Sequence, residues 1–271
     1  MKTAGVPIAM VTAYDAPFAR AADEAGIPLI LVGDSVGMVV LGYETTLPVT
    51  MEDMIHHTRA VAAATSHAMV IADMPFLSYQ VSVEQAVENA GRLVKEGGAH
   101  AVKLEGGQEM ASRVEAIVNT GIPVMGHVGL TPQAVHRLGG YRIQGRDEAA
   151  ARKLVEDAKA LEAAGAFSIV IESVPEEVGK MVTEAVDVPT IGIGAGRYTS
   201  GQVLVIYDLL GFNPKPPRFV RVFDDLRARL FDALVAYRKA VENKEFPGEA
   251  EVTHAEWARP APDGGDREVR P

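Results

Sequence analysis

Five apolar runs in this sequence each end on a side chain able to do chemistry. Leu29-Ile30-Leu31-Val32 runs into Gly33-Asp34-Ser35, and Val70-Ile71-Ala72 runs into Asp73. Ala101-Val102 leads to Lys103-Leu104-Glu105, Pro123-Val124-Met125 to Gly126-His127, and Ile169-Val170-Ile171 to Glu172. A β-branched apolar run reads as a strand buried on both faces. A charged group fits such a strand only at its exposed C-terminal end, where a partner can meet it. If the strands are parallel and adjacent, these ends share one rim.

On such a rim Asp34, Asp73 and Glu105 repel one another unless a cation lies among them or some are protonated. Oxygen donors, without cysteine and with few histidines nearby, suit Mg²⁺ better than zinc, and Mg²⁺ leaves room for a chelating substrate. Lys103 and Glu105, two apart, share a face if the strand continues that far, and Lys103 fits a substrate carboxylate, an ion pair with Glu105 or Asp73, or both. His127 reads as a donor to a substrate oxygen or as a buried, hydrogen-bonded histidine without a role in the reaction. Glu172, at the mouth of an apolar barrel, is expected to have a raised pKa suited to removing a proton next to a carbonyl. Taken singly, Asp34, Asp73 and Glu172 also read as helix caps or salt-bridge partners. His56 and His57, within an expected helix, and His254, near the C-terminus, read as structural or solvated. Ile191-Gly192-Ile193-Gly194-Ala195-Gly196 admits a phosphate subsite or a backbone crowded at the barrel mouth.

The elements that position these residues follow from a repeat. Asp23-Glu24-Ala25-Gly26-Ile27-Pro28, Lys95-Glu96-Gly97-Gly98-Ala99, Asn119-Thr120-Gly121-Ile122-Pro123 and Glu162-Ala163-Ala164-Gly165-Ala166 each end a helix at glycine just before an apolar run. Strands are expected near Ile8–Thr12, Leu29–Val32, Ala68–Ala72, Ala101–Leu104, Pro123–Gly126, Phe167–Ile171, Pro189–Gly192 and Arg218–Val220. Helices are expected near Ala16–Ala25, Met51–Ala64, Ser82–Glu96, Glu109–Asn119, Asp147–Ala164, Pro175–Val186, Ser200–Leu204 and Asp224–Asn243. Eight βα units of this length read as a single α/β (β/α)8 TIM barrel over residues 1–248 rather than an open doubly wound sheet. Residues 249–271, rich in proline, glycine and charge, read as a disordered tail.

With 271 residues, 48% of them hydrophobic, the chain can bury a full-sized core. A net charge of −10 argues against binding nucleic acid or an anionic membrane through a basic face. The absence of cysteine excludes disulfides, thiolate metal sites and a cysteine nucleophile. Asp15 and Arg20 interrupt the apolar start, so it does not read as a signal sequence, and Asp34 interrupts the other long apolar stretch. A soluble, cytoplasmic protein is expected.

Ordered motifs then point to a family. Val32-Gly33-Asp34-Ser35-Val36-Gly37-Met38, Thr45-Thr46-Leu47-Pro48-Val49-Thr50, Ala72-Asp73-Met74-Pro75-Phe76 and Val102-Lys103-Leu104-Glu105-Gly106-Gly107 come first. Gly126-His127-Val128-Gly129-Leu130-Thr131-Pro132-Gln133, Gly139-Gly140-Tyr141, Gln144-Gly145-Arg146, the glycine run at 191–196 and Pro247-Gly248-Glu249 follow. Together they resemble the ketopantoate hydroxymethyltransferases. That resemblance implies a barrel assembled as a homodecamer, a Mg²⁺ ion, and 5,10-methylenetetrahydrofolate as donor of a one-carbon unit to 3-methyl-2-oxobutanoate, giving 2-dehydropantoate in pantothenate synthesis. It implies Asp34, Asp73 and Glu105 as metal ligands, contacts from Asp34, Ser35, Asp73 and Lys103 to the 2-oxo acid, and Glu172 as proton acceptor. Tyr207-Asp208 stands where that family usually has His-Asp. A carbon–carbon lyase or mutase on the same barrel, and a non-catalytic ring-forming protein, are the rival readings.

Overall fold

The computed structural model describes residues 4–255. Its sheet is a closed barrel of eight parallel strands in sequence order: β1 (Ile8–Thr12), β2 (Leu29–Val32), β3 (Met69–Asp73), β4 (Ala101–Lys103), β5 (Val124–Gly129), β6 (Ser168–Glu172), β7 (Thr190–Ile193) and β8 (Gly201–Leu204). The helices around them are α1 (Ala16–Glu24), α2 (Val36–Val39), α3 (Met51–Ala62), α4 (Val83–Lys95), α5 (Ala111–Asn119), α6 (Val135–Leu138), α7 (Glu148–Ala163), α8 (Glu176–Ala185) and α9 (Ile206–Leu209). The chain divides after Phe223 into two compact units, and the barrel occupies the first.

Two apolar layers follow from the strand alternation. Inside the barrel, Met10, Leu31, Ile71, Ala101, Met125, Val170, Ile191 and Val203 form one packed layer, the filled interior of a TIM barrel. The other strand faces, with Ile30, Val70, Val102, Val124, Ile169 and Ile171, pack against the apolar sides of the helices, including Met54, Leu93, Ile117 and Leu161. The helices begin where the sequence supplies caps: Asp15, Thr50, Ser82 and Asp147 each accept a backbone N–H from the first turn through the side chain.

The first seven strands begin within one residue of their expected positions. The eighth does not. Residues 201–204, read from sequence as the seventh helix, form β8, which pairs in parallel with both β7 and β1 and closes the barrel. Arg218–Val220, read as the eighth strand, is a turn with Phe219 exposed. The expectation of a helix between every pair of strands caused the slip, because only a loop at 194–200 joins β7 to β8. Within β8 the burial alternates as in a strand: Gly201 and Val203 are buried and Gln202 between them is exposed. The glycine run lies in this loop. Gly194 has φ +64°, and a Cβ there would lie 2.6 Å from the Phe219 ring, so this glycine serves close packing.

The second unit contains α10 (Leu226–Glu242), capped by Asp225, whose carboxylate accepts Ala228 N–H at 3.0 Å. No residue of α10 is buried, and Leu230, Phe231, Leu234 and Tyr237 are exposed. Of the expected tail, Glu249–Glu251 form a single 3-10 turn, and 256–271 lie outside the described residues. No helix among the described residues is long and apolar enough to cross a membrane.

One buried carboxylate fastens the bottom of the barrel. Asp23, near the end of α1, accepts the backbone N–H groups of Ser66, His67 and Ala68 at 2.9, 3.0 and 2.7 Å. These bonds, Ala68 and Ser66 foremost, favour the ionised carboxylate and lower its pKa. The stabilisation is present above the ordinary Asp pKa and is lost as pH falls through the lowered folded value. Asp23→Ala is expected to lower the melting temperature by several degrees at neutral pH, with the gap to the wild type closing in acid. Thermal unfolding across pH checks this, and equal melting temperatures at neutral pH would refute it.

Candidate active site

Strand periodicity builds the site directly on the apolar layer. Residues two apart on a strand share a face, so each interior residue is followed by a second one nearer the mouth. Ile71 is followed by Asp73, Ala101 by Lys103, Met125 by His127, and Val170 by Glu172. Parallel register aligns Asp73 with Lys103 across β3 and β4. Asp34 and Ser35 lie just beyond β2, and Glu105 just beyond β4, where Gly106 N–H donates to the His127 carbonyl at 3.0 Å. A Cβ at Gly33 would lie 2.7 Å from Ser35 Oγ and 3.5 Å from Asp73 Oδ2, so a side chain there would displace the Ser35 hydroxyl from its place in the site. Asp34, Ser35, Asp73, Lys103, Glu105, His127 and Glu172 all line one cavity of about 110 Å³. The structure thus brings together every site residue singled out from sequence. One placement differs: His127 lies inside β5, which continues to Gly129, rather than after its end.

The cavity sets buried carboxylates against one ammonium group. Lys103 Nζ lies 2.7 Å from Asp73 Oδ1. Burial alone would lower the Lys103 pKa, but the charges of Asp73, Glu105 and Asp34 outweigh it and hold the ammonium above its usual range. Burial, the Asp73 charge and, to a smaller extent, Glu172 push Asp34 up to about 7, against opposing effects of Lys103 and Gln133. Burial and the Asp34 charge push Glu105 well above the usual carboxylate range. Glu172 is pushed up to about 7 by burial, with Lys103 opposing. Burial and the Lys103 charge drive His127 well below its ordinary value, so its ring is neutral.

That neutrality sets the tautomer. Lys103 Nζ lies 3.3 Å from His127 Nδ1, and an ammonium can only donate. Nδ1 therefore accepts, and the ring proton is on Nε2. Nε2 lies 3.2 Å from Glu172 Oε2 but without hydrogen-bond alignment, which leaves a buried donor in the cavity with no aligned partner. Asp73 Oδ1 is a buried acceptor in the same condition despite its ion pair.

Sequence reasoning assigned no role to three further residues. Gln133 Nε2 donates to Asp34 Oδ2 at 2.8 Å, and Gln133 N–H donates to Glu105 Oε2 at 3.0 Å. Tyr79 Oη donates to Gln133 Oε1 at 2.7 Å. Tyr14 Oη lies 2.8 Å from Ser35 Oγ, and its ring stacks on Tyr207 at 5.9 Å. Tyr207 thus takes part in an aromatic group with Phe18 and Phe212 behind the site. His57 Nδ1 lies 2.6 Å from the Tyr14 carbonyl and outside the cavity lining. Alternation could not reveal Gln133, because it lies in the 3-10 turn Pro132–Ala134 rather than at a strand end.

Asp34, Asp73 and Glu105 suit a hard cation by their chemistry. All three are oxygen donors, buried with at most 5% exposure, and Asp73 Oδ1 lacks an aligned hydrogen bond. Among the described residues lining the cavity, Lys103 is the one lysine or arginine set against these three and Glu172. A divalent cation would offset the excess negative charge. Among the described residues, no group of three or more His, Asp or Glu side chains stands positioned to hold a metal ion together. Gln133 and Lys103 hold carboxylate oxygens of Asp34, Glu105 and Asp73.

Comparison with known proteins identifies the family. The sequence model of the family described as ketopantoate hydroxymethyltransferase matches residues 1–249. A 3-methyl-2-oxobutanoate hydroxymethyltransferase of Ignicoccus hospitalis is 60% identical over 245 residues, covering 90% of this chain and 93% of the relative. One of the same name from Thermoanaerobacter pseudethanolicus is 57% identical over 249 residues, covering 92% and 91%. Among solved structures, a putative phosphonomutase from Burkholderia cenocepacia superposes with a TM-score of 0.61 at 16% identity, covering 89% of this chain and 94% of that one. A phosphonopyruvate hydrolase gives 0.61 at 14% identity, covering 94% and 89%. These two share the barrel fold. With a family match from residue 1 to residue 249 and relatives at this identity, the chain belongs to the ketopantoate hydroxymethyltransferase family.

Proposed function

We propose that this chain transfers a hydroxymethyl group from 5,10-methylenetetrahydrofolate to 3-methyl-2-oxobutanoate, giving 2-dehydropantoate for pantothenate synthesis, with Mg²⁺ held by Asp34, Asp73 and Glu105. The observation that carries the reading is Glu172: a carboxylate with its pKa pushed up to about 7, in one small cavity with Lys103, His127 and three candidate cation ligands. The names of the curated relatives support the acceptor. The donor and the cation rest on the family resemblance and the donor chemistry. A cytoplasmic homodecamer is part of the proposal, supported by the same resemblance and by the exposed apolar side chains of α10.

Bound among the three carboxylates, Mg²⁺ would supply Lewis acidity to the keto carbonyl and neutralise local charge. The Lys103 ammonium binds the carboxylate end of the 2-oxo acid and offsets negative charge as the enolate forms. Ser35 Oγ and His127 Nε2–H donate to substrate oxygens, which would give the imidazole its missing aligned partner. The apolar part of the cavity wall, with Leu31, Val170, Ile193 and Val203, receives the branched side chain. Glu172 removes the C3 proton; with a pKa near neutrality it is both basic enough to do so and largely ionised at slightly alkaline pH. The carbanion attacks the methylene carbon of the folate and breaks its bond to one folate nitrogen, which takes the proton held by Glu172. Water then displaces the second nitrogen, leaving its hydroxyl on the carbon and its proton on that nitrogen.

A hydroxymethyl-transfer assay tests this. Glu172→Gln keeps the shape of the side chain but not its basicity, and turnover is expected to fall by about 10²–10⁴-fold with binding of the 2-oxo acid nearly intact. Turnover within a few-fold of the wild type would remove Glu172 as the base. Wild-type turnover should rise as pH increases through about 7, because the raised carboxylate is protonated and inactive below that value. A flat profile one unit either side would contradict it. Asp73→Ala should weaken Mg²⁺-dependent binding of 3-methyl-2-oxobutanoate by at least about tenfold in calorimetry. An unchanged titration would exclude Asp73 from the cation site.

A further inference from the structure

Gln133 is buried and uses its full hydrogen-bonding capacity beside two candidate cation ligands. Its two amide protons go to Asp34 Oδ2 at 2.8 Å and to the Met74 carbonyl at 2.9 Å. Its oxygen accepts from Tyr79 Oη at 2.7 Å and from Gln80 Nε2 at 3.1 Å. Its backbone N–H, free of a helical partner at the start of the 3-10 turn, donates to Glu105 Oε2 at 3.0 Å. A glutamine side chain offers two donors and two acceptor sites, so none is spare.

The arrangement has only one workable orientation. A flipped amide would set its oxygen against the Asp34 carboxylate and the Met74 carbonyl, acceptor facing acceptor. Tyr79 fixes the position further: its hydroxyl accepts Glu105 N–H at 3.1 Å while donating to Gln133. One residue therefore holds an oxygen of Asp34 and an oxygen of Glu105, which come from different strand ends, and leaves the second oxygen of each unused by it. Hydrogen bonds to metal-ligating carboxylates orient them, and losing such a partner commonly weakens metal binding 10–100-fold.

We propose that Gln133 is the positioning residue of the cation site, setting the spacing and orientation of Asp34 and Glu105 for a divalent ion, with Tyr79 fixing the amide. The proposal rests on the cation reading above. A glutamine that merely fastens loops would affect folding stability and leave the affinity of the folded protein for cations unchanged.

The test is Mn²⁺ binding to the whole protein without substrates, followed by the electron paramagnetic resonance signal of free Mn²⁺, with melting temperatures in EDTA recorded alongside. The wild type is expected to bind Mn²⁺. Gln133→Met, similar in shape but without the amide, should bind about 10–100-fold more weakly while still melting cooperatively. Tyr79→Phe, which loses only the hydroxyl, should shift affinity several-fold in the same direction and carries the test if Gln133→Met does not fold. Wild-type affinity in either folded variant overturns the proposal for the residue concerned while the cation reading stands. Absence of Mn²⁺ binding by the wild type overturns the cation reading and this proposal together.

Discussion

Asp34, Asp73, Glu105 and Glu172 share a cavity with one ammonium group, Lys103, and that excess of negative charge conditions everything else at the mouth of the barrel. Water cannot screen it, because the side chains are buried or nearly so. The structure answers with dispersal. Lys103 pairs with Asp73, Gln133 holds Asp34 and Glu105, and Asp34, Glu105 and Glu172 keep their protons more tightly than carboxylates in water. Such a site is poised to accept positive charge and to release or take up protons near neutrality. It gains nothing for stability from this, and the apolar layers beneath and around it hold the fold together.

Lys103 links the two halves of the site. On one side it meets Asp73, and on the other it contacts His127, where it adds to the burial that keeps the ring neutral and sets the ring proton on Nε2, toward Glu172. Charge on one side thereby sets the hydrogen-bonding character of the other. Behind Ser35, Tyr14 rests on Tyr207, so Tyr207 supports the site from the rear through ring packing.

Much of this was legible in the sequence because strand alternation is a local rule. A carboxylate or lysine two residues beyond a buried apolar position can only occupy the next layer toward the mouth, so Asp73, Lys103 and Glu172 were identifiable from Ile71, Ala101 and Val170. Asp34, Ser35 and Glu105 lie just past strand ends and followed from the same runs. Where position depends on a turn, the rule fails. Gln133 reaches Asp34 through a 3-10 turn whose placement depends on residues distant in sequence, including Tyr79 and Met74. β8 was misplaced for a related reason: a glycine loop replaces the helix expected before it, and barrel closure with β1, not local sequence, decides which segment completes the sheet.

The central claim is that this cavity removes the C3 proton of a 2-oxo acid with help from a bound divalent cation. The most direct test is proton NMR of 3-methyl-2-oxobutanoate in D₂O with the purified protein and Mg²⁺, with no folate present, repeated after adding EDTA. Protein-dependent loss of the C3–H signal that EDTA abolishes is the expected result. If the signal persists with Mg²⁺, and still persists when tetrahydrofolate is added, metal-assisted proton abstraction by Glu172 is contradicted and the cavity is a binding site without this chemistry.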